Sequence, residues 1–265
     1  MRKLVFCELF KYRRNKIIPA LTSLALLFPA ALIFLTKSSL NGTETLTEFH
    51  AYYDSLFNNN LVYSSMLLLP GLTGCVGAVL FFTERDCGAF KNLRVIPVTE
   101  KELIFAKLIT LYLWSVFYSV CSTAAMTLFC FLLEPAALYD VFFKLLCGIL
   151  TGITMTTVSL PAAVIVIYIN QGRFLSLLLS FLYSVVNWLL LILFASNDGV
   201  LRWLPLLNGL LLSSRLWGWR KASLGMGEEL TALPLQEYVF TALYLLFSFL
   251  ICTFLIIRFY KKWSR

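Results

Sequence analysis

Nine of the 25 residues from Thr83 to Lys107 are charged, and both signs are present. Glu84, Asp86, Glu100 and Glu102 are mixed with Arg85, Lys91, Arg94, Lys101 and Lys107 in the stretch TERDCGAFKNLRVIPVTEKELIFAK. Gly88 offers a backbone break. Pro97 ends a helix at about residue 96, and Thr99 is placed to cap a new one starting at Glu100. The spacing predicts helix, turn, helix, with a small apolar corner at residues 95–98 and charged sides. A docking surface for another protein needs that chemistry. A plain solvated loop is the alternative.

Residues that make or break bonds are missing. The single histidine, His50, has no neighbours of its own kind for a zinc site. There is no Ser-His-Asp set, no nucleophile elbow and no Gly-x-x-x-x-Gly-Lys-[Ser/Thr] phosphate loop. Of seven cysteines, five fall in apolar runs and two, Cys7 and Cys87, in basic segments, so no disulfide framework is implied. The expectation is a chain without catalytic residues, metal or cofactor of its own. If ATP drives it, another polypeptide must bind the nucleotide.

The elements that carry the charged stretch are set by composition. Of 265 residues, 60% are hydrophobic and 14% charged, with a net charge of +8. Ordinary soluble domains carry about 25% charged residues, and the mean hydropathy here is +0.82. A soluble enzyme, a disordered chain and a fibrous one are all excluded. Six stretches are long and apolar enough to cross a bilayer: residues 17–36, 61–82, 108–133, 145–169, 174–196 and 238–257. They are continuous, not alternating, so helices are expected, not barrel strands. None of the six contains Asp, Glu, Lys, Arg or His, which leaves no carboxylate for a proton relay and counts against a secondary transporter.

Sixteen Lys and Arg fall on the side of the two termini and six on the other, so both termini are expected in the cytoplasm. Because the basic residues flank apolar runs, they fit topology and not nucleic acid. Residues 2–16 read as an interfacial helix, with Leu4, Val5, Leu9 and Tyr12 at helical spacing. Lys3, Lys11 and Arg14, with Arg13 beside it, are expected at lipid headgroups. Residues 200–212 are too short and broken to cross, and suit a re-entrant element before the last span. Trp203, Asn208, Arg215, Trp217 and Trp219 around it read as an interfacial belt, or as an outward gate or substrate contact. Gly71, Gly74, Gly77, Gly148 and Gly152 give small faces for close helix approach. Asn187 is expected to bond between helices. The whole is one all-α transmembrane domain.

The charged connector also carries a resemblance. Glu84, Gly88, Lys91, Asn92, Leu93, Pro97, Val98 and Lys107 stand in the pattern Glu-x-x-x-Gly-x-x-Lys-Asn-Leu-x-x-x-Pro-Val, closed by a Lys at the next span. With Glu8-Leu9-Phe10-Lys11-Tyr12-Arg13-Arg14 running into the first span, this resembles the permease subunits of type-2 ABC exporters. The Lys-Asn-Leu and Ile-Pro elements look most like the lantibiotic-immunity and bacitracin-resistance branch. Ala89 stands where Thr is frequent, and Glu100 where a basic residue or Ser is common. The resemblance implies a permease that pairs with itself or a related permease and with two ABC ATPase subunits, which hold the ATP and magnesium. It implies that the connector, through Glu84, Arg85, Gly88, Lys91, Asn92, Arg94, Pro97 and Lys107, docks on the ATPase. A peptide substrate in the bilayer is the implied cargo. A membrane scaffold or sensor that holds a cytoplasmic partner is the other reading.

Overall fold

A computed structural model of the chain describes residues 2–37, 45–86, 88, 99–169, 173–194, 199, 203–225 and 235–264. Among the described residues the long elements are all helical. They are α1 (Arg2–Arg14), α2 (Ile17–Thr36), α3 (Leu46–Asn59), a π-helix (Asn60–Leu68), α4 (Leu69–Asp86), α5 (Glu100–Leu133), α6 (Val141–Ile169), α7 (Arg173–Leu193), α8 (Pro205–Ser223) and α9 (Leu235–Ser264). Six helical stretches are long and apolar enough to span a membrane, as expected.

Several helices start earlier than the apolar runs. The second span is one rod from Leu46 through the π-helix to Glu84, the third starts at Glu100 and the fourth at Val141. Local caps fix two of these starts. Thr45 donates its backbone N–H to Glu48 Oε2 at 2.6 Å, and Thr99 does the same to Glu102 Oε2 at 2.9 Å. The latter confirms the cap read at Thr99, a reciprocal arrangement that satisfies otherwise orphaned amides. The early starts overturn the expectation of charge-free spans, because Asp54, Lys107 and Lys144 are buried within these helices. Apolar runs end at the first charge, whereas the helices continue through it because each charge finds a partner.

The core is formed by the second and fourth spans, 83% and 72% buried in their apolar windows, against 22% for the first, fifth and sixth. Helix α6 packs on α4, α5, α8 and α9. The small residues do what small residues do in lipid, letting backbones close up. A Cβ on Gly74 would lie 2.2 Å from Ser180 Oγ on α7, and one on Gly152 would lie 2.7 Å from Val116 Cα on α5. The π-helix sits in this core, where its wider turn points polar groups inward. Ser122 on α5 donates to Asn60 Oδ1 at 2.9 Å and lies 3.0 Å from Ser64 Oγ. Among the described residues Asn187 makes no bond between helices; its amide donates to Tyr183 O, one turn back in α7. The Tyr183 hydroxyl makes the cross-helix bond instead, to Val158 O at 2.7 Å.

The element before the last span is longer than residues 200–212; the helix runs from Pro205 to Ser223, and residues 200–202 lie outside the described set. It runs antiparallel to α6. Near its start Gly209 O accepts from Thr154, and near its end Arg220 meets Asp140. Its first turn therefore lies deep in the bundle and its last at the rim, as a re-entrant element requires.

Gly152→Ala sets a new methyl against backbone, which cannot swing aside, whereas a Cβ on Gly77 meets only Ala163 Cβ at 3.8 Å. Gly152→Ala should cost about 1–3 kcal/mol and Gly77→Ala close to nothing. Thermal unfolding in detergent checks this; equal melting temperatures would refute close α5–α6 packing.

Candidate functional site

Where the second span ends, just before the charged connector, four ionised side chains meet. Lys107, on the first turns of α5, is fully buried. Its ammonium lies 3.1 Å from Glu84 Oε1 and 3.3 Å from Glu8 Oε2, and donates to Leu80 O at 2.8 Å. Lys11 reaches the same carboxylates from above, at 2.5 Å to Glu8 Oε1 and 2.8 Å to Glu84 Oε1. The Tyr260 hydroxyl of α9 completes Glu84 by donating to Oε2 at 3.1 Å. Half-burial works to lower the Lys11 ammonium, but hydrogen bonds to Glu8 and Glu84 outweigh it and raise the group above the ordinary lysine range. Two positive and two negative groups cancel, and they join α1, α4, α5 and α9.

This corrects the reading of α1. Its inward face carries Glu8 and Tyr12, while Leu9 is exposed. Lys11, half exposed, pairs with Glu8 and Glu84, partners that a headgroup role alone does not provide. The helix is amphipathic by pattern, yet ion pairing decides which side faces in.

Four residues beyond Glu84 the chain turns at Gly88, exposed and at φ +63, a left-handed conformation that glycine adopts without strain. Lys91, Asn92, Arg94 and Pro97 lie outside the described residues, as do the side chains of Arg85, Arg13 and Arg14. Of the expected connector residues, the structure brings Glu84 and Lys107 together.

A second charged cluster lies at the opposite end. Asp54 on α3 takes Lys144 of α6 at 3.0 Å and Lys221 of α8 at 3.0 Å, and the Tyr139 hydroxyl donates to it as well. Arg220 pairs with Asp140 at 2.5 Å, which holds the guanidinium above its ordinary range through that hydrogen bond. The fully buried Lys144 ammonium lies 3.3 Å from the Tyr53 ring centre, 4.4 Å from Tyr139 and 4.6 Å from Trp217. Such a box of ring faces favours a desolvated cation.

Trp217, expected in an interfacial belt, is thus 2% exposed and part of this box. Packing on α6 overrides the local Trp/Arg pattern that suggested a belt. Trp203 and Trp219 are exposed, Trp203 lying edge-on to Phe240. Asn208 is buried, its amide donating to Leu204 O at 3.0 Å, and Arg215 is half-buried. These five residues spread over one helix and its lead-in, two of them buried and two exposed.

At the inner end the charged side chains are paired with one another, and among the described residues no group is placed to activate a nucleophile. Among the described residues there is no cluster of potential metal ligands. Compared with known families, residues 4–187 match the one described as ABC-2 family transporter protein. The chain belongs to the ABC-2 transporter family. It is a multi-pass membrane permease without an ATPase site of its own, and membership implies an ABC ATPase partner. A search of curated proteins finds no match. The matched region of this ABC-2 permease holds Glu8, Glu84 and Lys107, and also Asp54 and Lys144.

Sequence reasoning missed the outer cluster because Asp54 and Lys144 each stand just beyond an apolar run, where a charge reads as a span boundary. The available signal was that both lie within helical reach of those runs, flanked by aromatic residues.

Asp54→Asn strands a buried ammonium and should cost about 3–5 kcal/mol. Lys144→Met leaves Asp54 with Lys221 and places a thioether among the rings, at a cost of less than about 1.5 kcal/mol. Adding Lys144→Met to Asp54→Asn should recover most of the loss in a detergent melt. Equal melting temperatures for the two single variants would sink the assignment.

Proposed function

We propose that this chain is the membrane half of an ATP-driven exporter that clears a lantibiotic or similar antimicrobial peptide from the bilayer. It pairs with an identical or related permease. Two copies of an ABC ATPase, carrying ATP and magnesium, dock on residues 83–107. The observation that carries the reading is the buried Glu8–Glu84–Lys107 cluster at the root of the connector. A docked ATPase displaces the connector, and Glu84 passes that displacement to three other helices through contacts that cannot be broken cheaply. The peptide substrate and the branch rest on the connector motif and its resemblance. The Pro205–Ser223 helix, reaching into the bundle from outside, is the element that such a displacement repacks at the outward side.

The test is reconstitution with an ABC ATPase subunit that copurifies with it, in vesicles, with hydrolysis and peptide tolerance both measured. Glu84→Gln preserves shape but removes the charge, and Gly88→Val forces a β-branched residue into a left-handed turn. Gly88→Val should leave the complex assembled and basal hydrolysis intact while peptide-stimulated hydrolysis falls at least about tenfold, a loss of some 1.4 kcal/mol in coupling. Glu84→Gln should lower stimulation likewise and also the melting temperature, because the buried Lys107 keeps only Glu8. Cells carrying either variant should lose tolerance to the peptide. Unchanged tolerance in both would overturn the coupling role. An ATPase that copurifies but is never stimulated, with no tolerance conferred by the native chain, would make it a scaffold.

A further inference from the structure

Two cavities meet at Tyr12. One, of about 550 Å3, opens at the cytoplasmic rim and is lined by Lys11, Asn15, Lys16 and Thr83 together with the buried ion pairs. The other, of about 700 Å3, is an apolar groove between α2 and α5, walled by Pro19, Leu26, Leu113, Trp114 and Phe117. Both share Tyr12 and Ile18, so a polar chamber at headgroup level continues into an apolar one along the bilayer.

The groove makes no polar demands of its own. The Trp114 indole donates to Thr22 Oγ1 at 3.0 Å, and Thr22 donates to Ile18 O. Its walls run from Ile18 to Leu26 on α2 and from Leu113 to Cys121 on α5. Eight residues of helix rise about 12 Å, close to the roughly 15 Å of one leaflet's hydrocarbon. Leu26, Leu113 and Phe117 are all about half exposed, so the groove faces lipid.

The chamber is charge-selective. Glu8 and Glu84 cancel Lys11 and Lys107. Lys16 remains as an exposed cation that pairs with none of the described carboxylates. Tyr12, at the junction, is 7% exposed, and its buried hydroxyl has no hydrogen-bond partner among the described residues. Burial, with Glu8 nearby, pushes that hydroxyl well up, so it stays protonated and able to donate.

We propose that this double cavity holds one anionic phospholipid of the cytoplasmic leaflet, its phosphate between Lys16 and the Tyr12 hydroxyl and one acyl chain in the α2–α5 groove. The coupling cluster forms one wall of the site, and the lipid's own contacts, Lys16, Tyr12 and the groove, are independent of the transported substrate. The lipid wedges α1 against the first span and completes the unpartnered Tyr12. A soluble phosphate meets the chamber but leaves the groove empty, so the acyl chain separates the two sources.

Native mass spectrometry of the purified full chain, after exchange into nanodiscs of phosphatidylglycerol or of phosphatidylcholine, tests this. One phosphatidylglycerol should be retained at collision energies that strip phosphatidylcholine. Tyr12→Phe and Lys16→Glu should each cut that retention by about fivefold or more, in line with one charged hydrogen bond or one surface cation. Ser23→Trp, made at an exposed groove position, should abolish retention of either lipid. All three should melt at the wild-type temperature, which shows that the fold is intact. Equal retention across the variants, displacement of the lipid by inorganic phosphate alone, or disulfide cross-linking of two copies through Ser23→Cys would each overturn the proposal.

Discussion

A fully buried lysine ammonium must be neutralised where it sits, and Lys107 is the group on which the cytoplasmic half of this permease depends. Taking an ammonium out of water costs several kcal/mol even after relaxation. The fold offsets that cost with two carboxylates and a backbone carbonyl from two other helices, α1 and α4. Glu8 fixes where α1 lies, Leu80 and Glu84 fix the end of α4, and Tyr260 ties the last helix to the same carboxylate. An apolar contact at this place would tolerate sliding by a residue. An ion cluster does not, because any slide leaves a charge without its partner in a medium of low dielectric.

The outer end repeats the device with different parts. Asp54 is bridged by lysines from α6 and α8, and one of them is enclosed by aromatic rings. Between the two ends the contacts are apolar, neutral hydrogen bonds such as Ser122 to Asn60, or made by small residues, such as Gly74 against Ser180 and Gly152 against Val116. Close packing of that kind sets the distance between helices but exerts little preference along their axes. Axial register is therefore held mainly at the two ends, and the interior contributes rigidity.

The division explains what the amino-acid order discloses. Six membrane-crossing helices are legible because each is a continuous apolar run, and the start of α5 is legible because Thr99 and Glu102 are three residues apart. The ion clusters are not, because their partners are far apart in the chain: Lys107 and Glu8 by 99 residues, Lys144 and Asp54 by 90. Local pattern also placed Trp217 at the membrane surface and gave no sign that Lys11 pairs with Glu84. In each case the deciding contact comes from another helix. The connector motif identified the family region, but of its residues only Glu84, Gly88 and Lys107 are placed, and it was Glu8, outside that motif, that completed the site.

One consequence joins the two ends. Glu84 and Asp54 belong to a single helical rod, thirty positions apart, or about 45 Å of helix, more than the roughly 30 Å of a bilayer core. Each end of the rod is gripped by a buried lysine, Lys107 of α5 at one and Lys144 of α6 at the other. A straight α-helix would transmit any axial displacement at Glu84 directly to Asp54. The rod has one segment of different geometry, the π-helix Asn60–Leu68, whose hydrogen bonds are looser and whose turn is wider. It is pinned to α5 through Ser122, with Asn60 and Ser64 on either side of that hydroxyl. Its side-chain bonds are neutral and cost about 1 kcal/mol each to exchange, whereas either ion cluster costs several times that. The two ends can therefore keep their partners while the middle of the second span changes its winding.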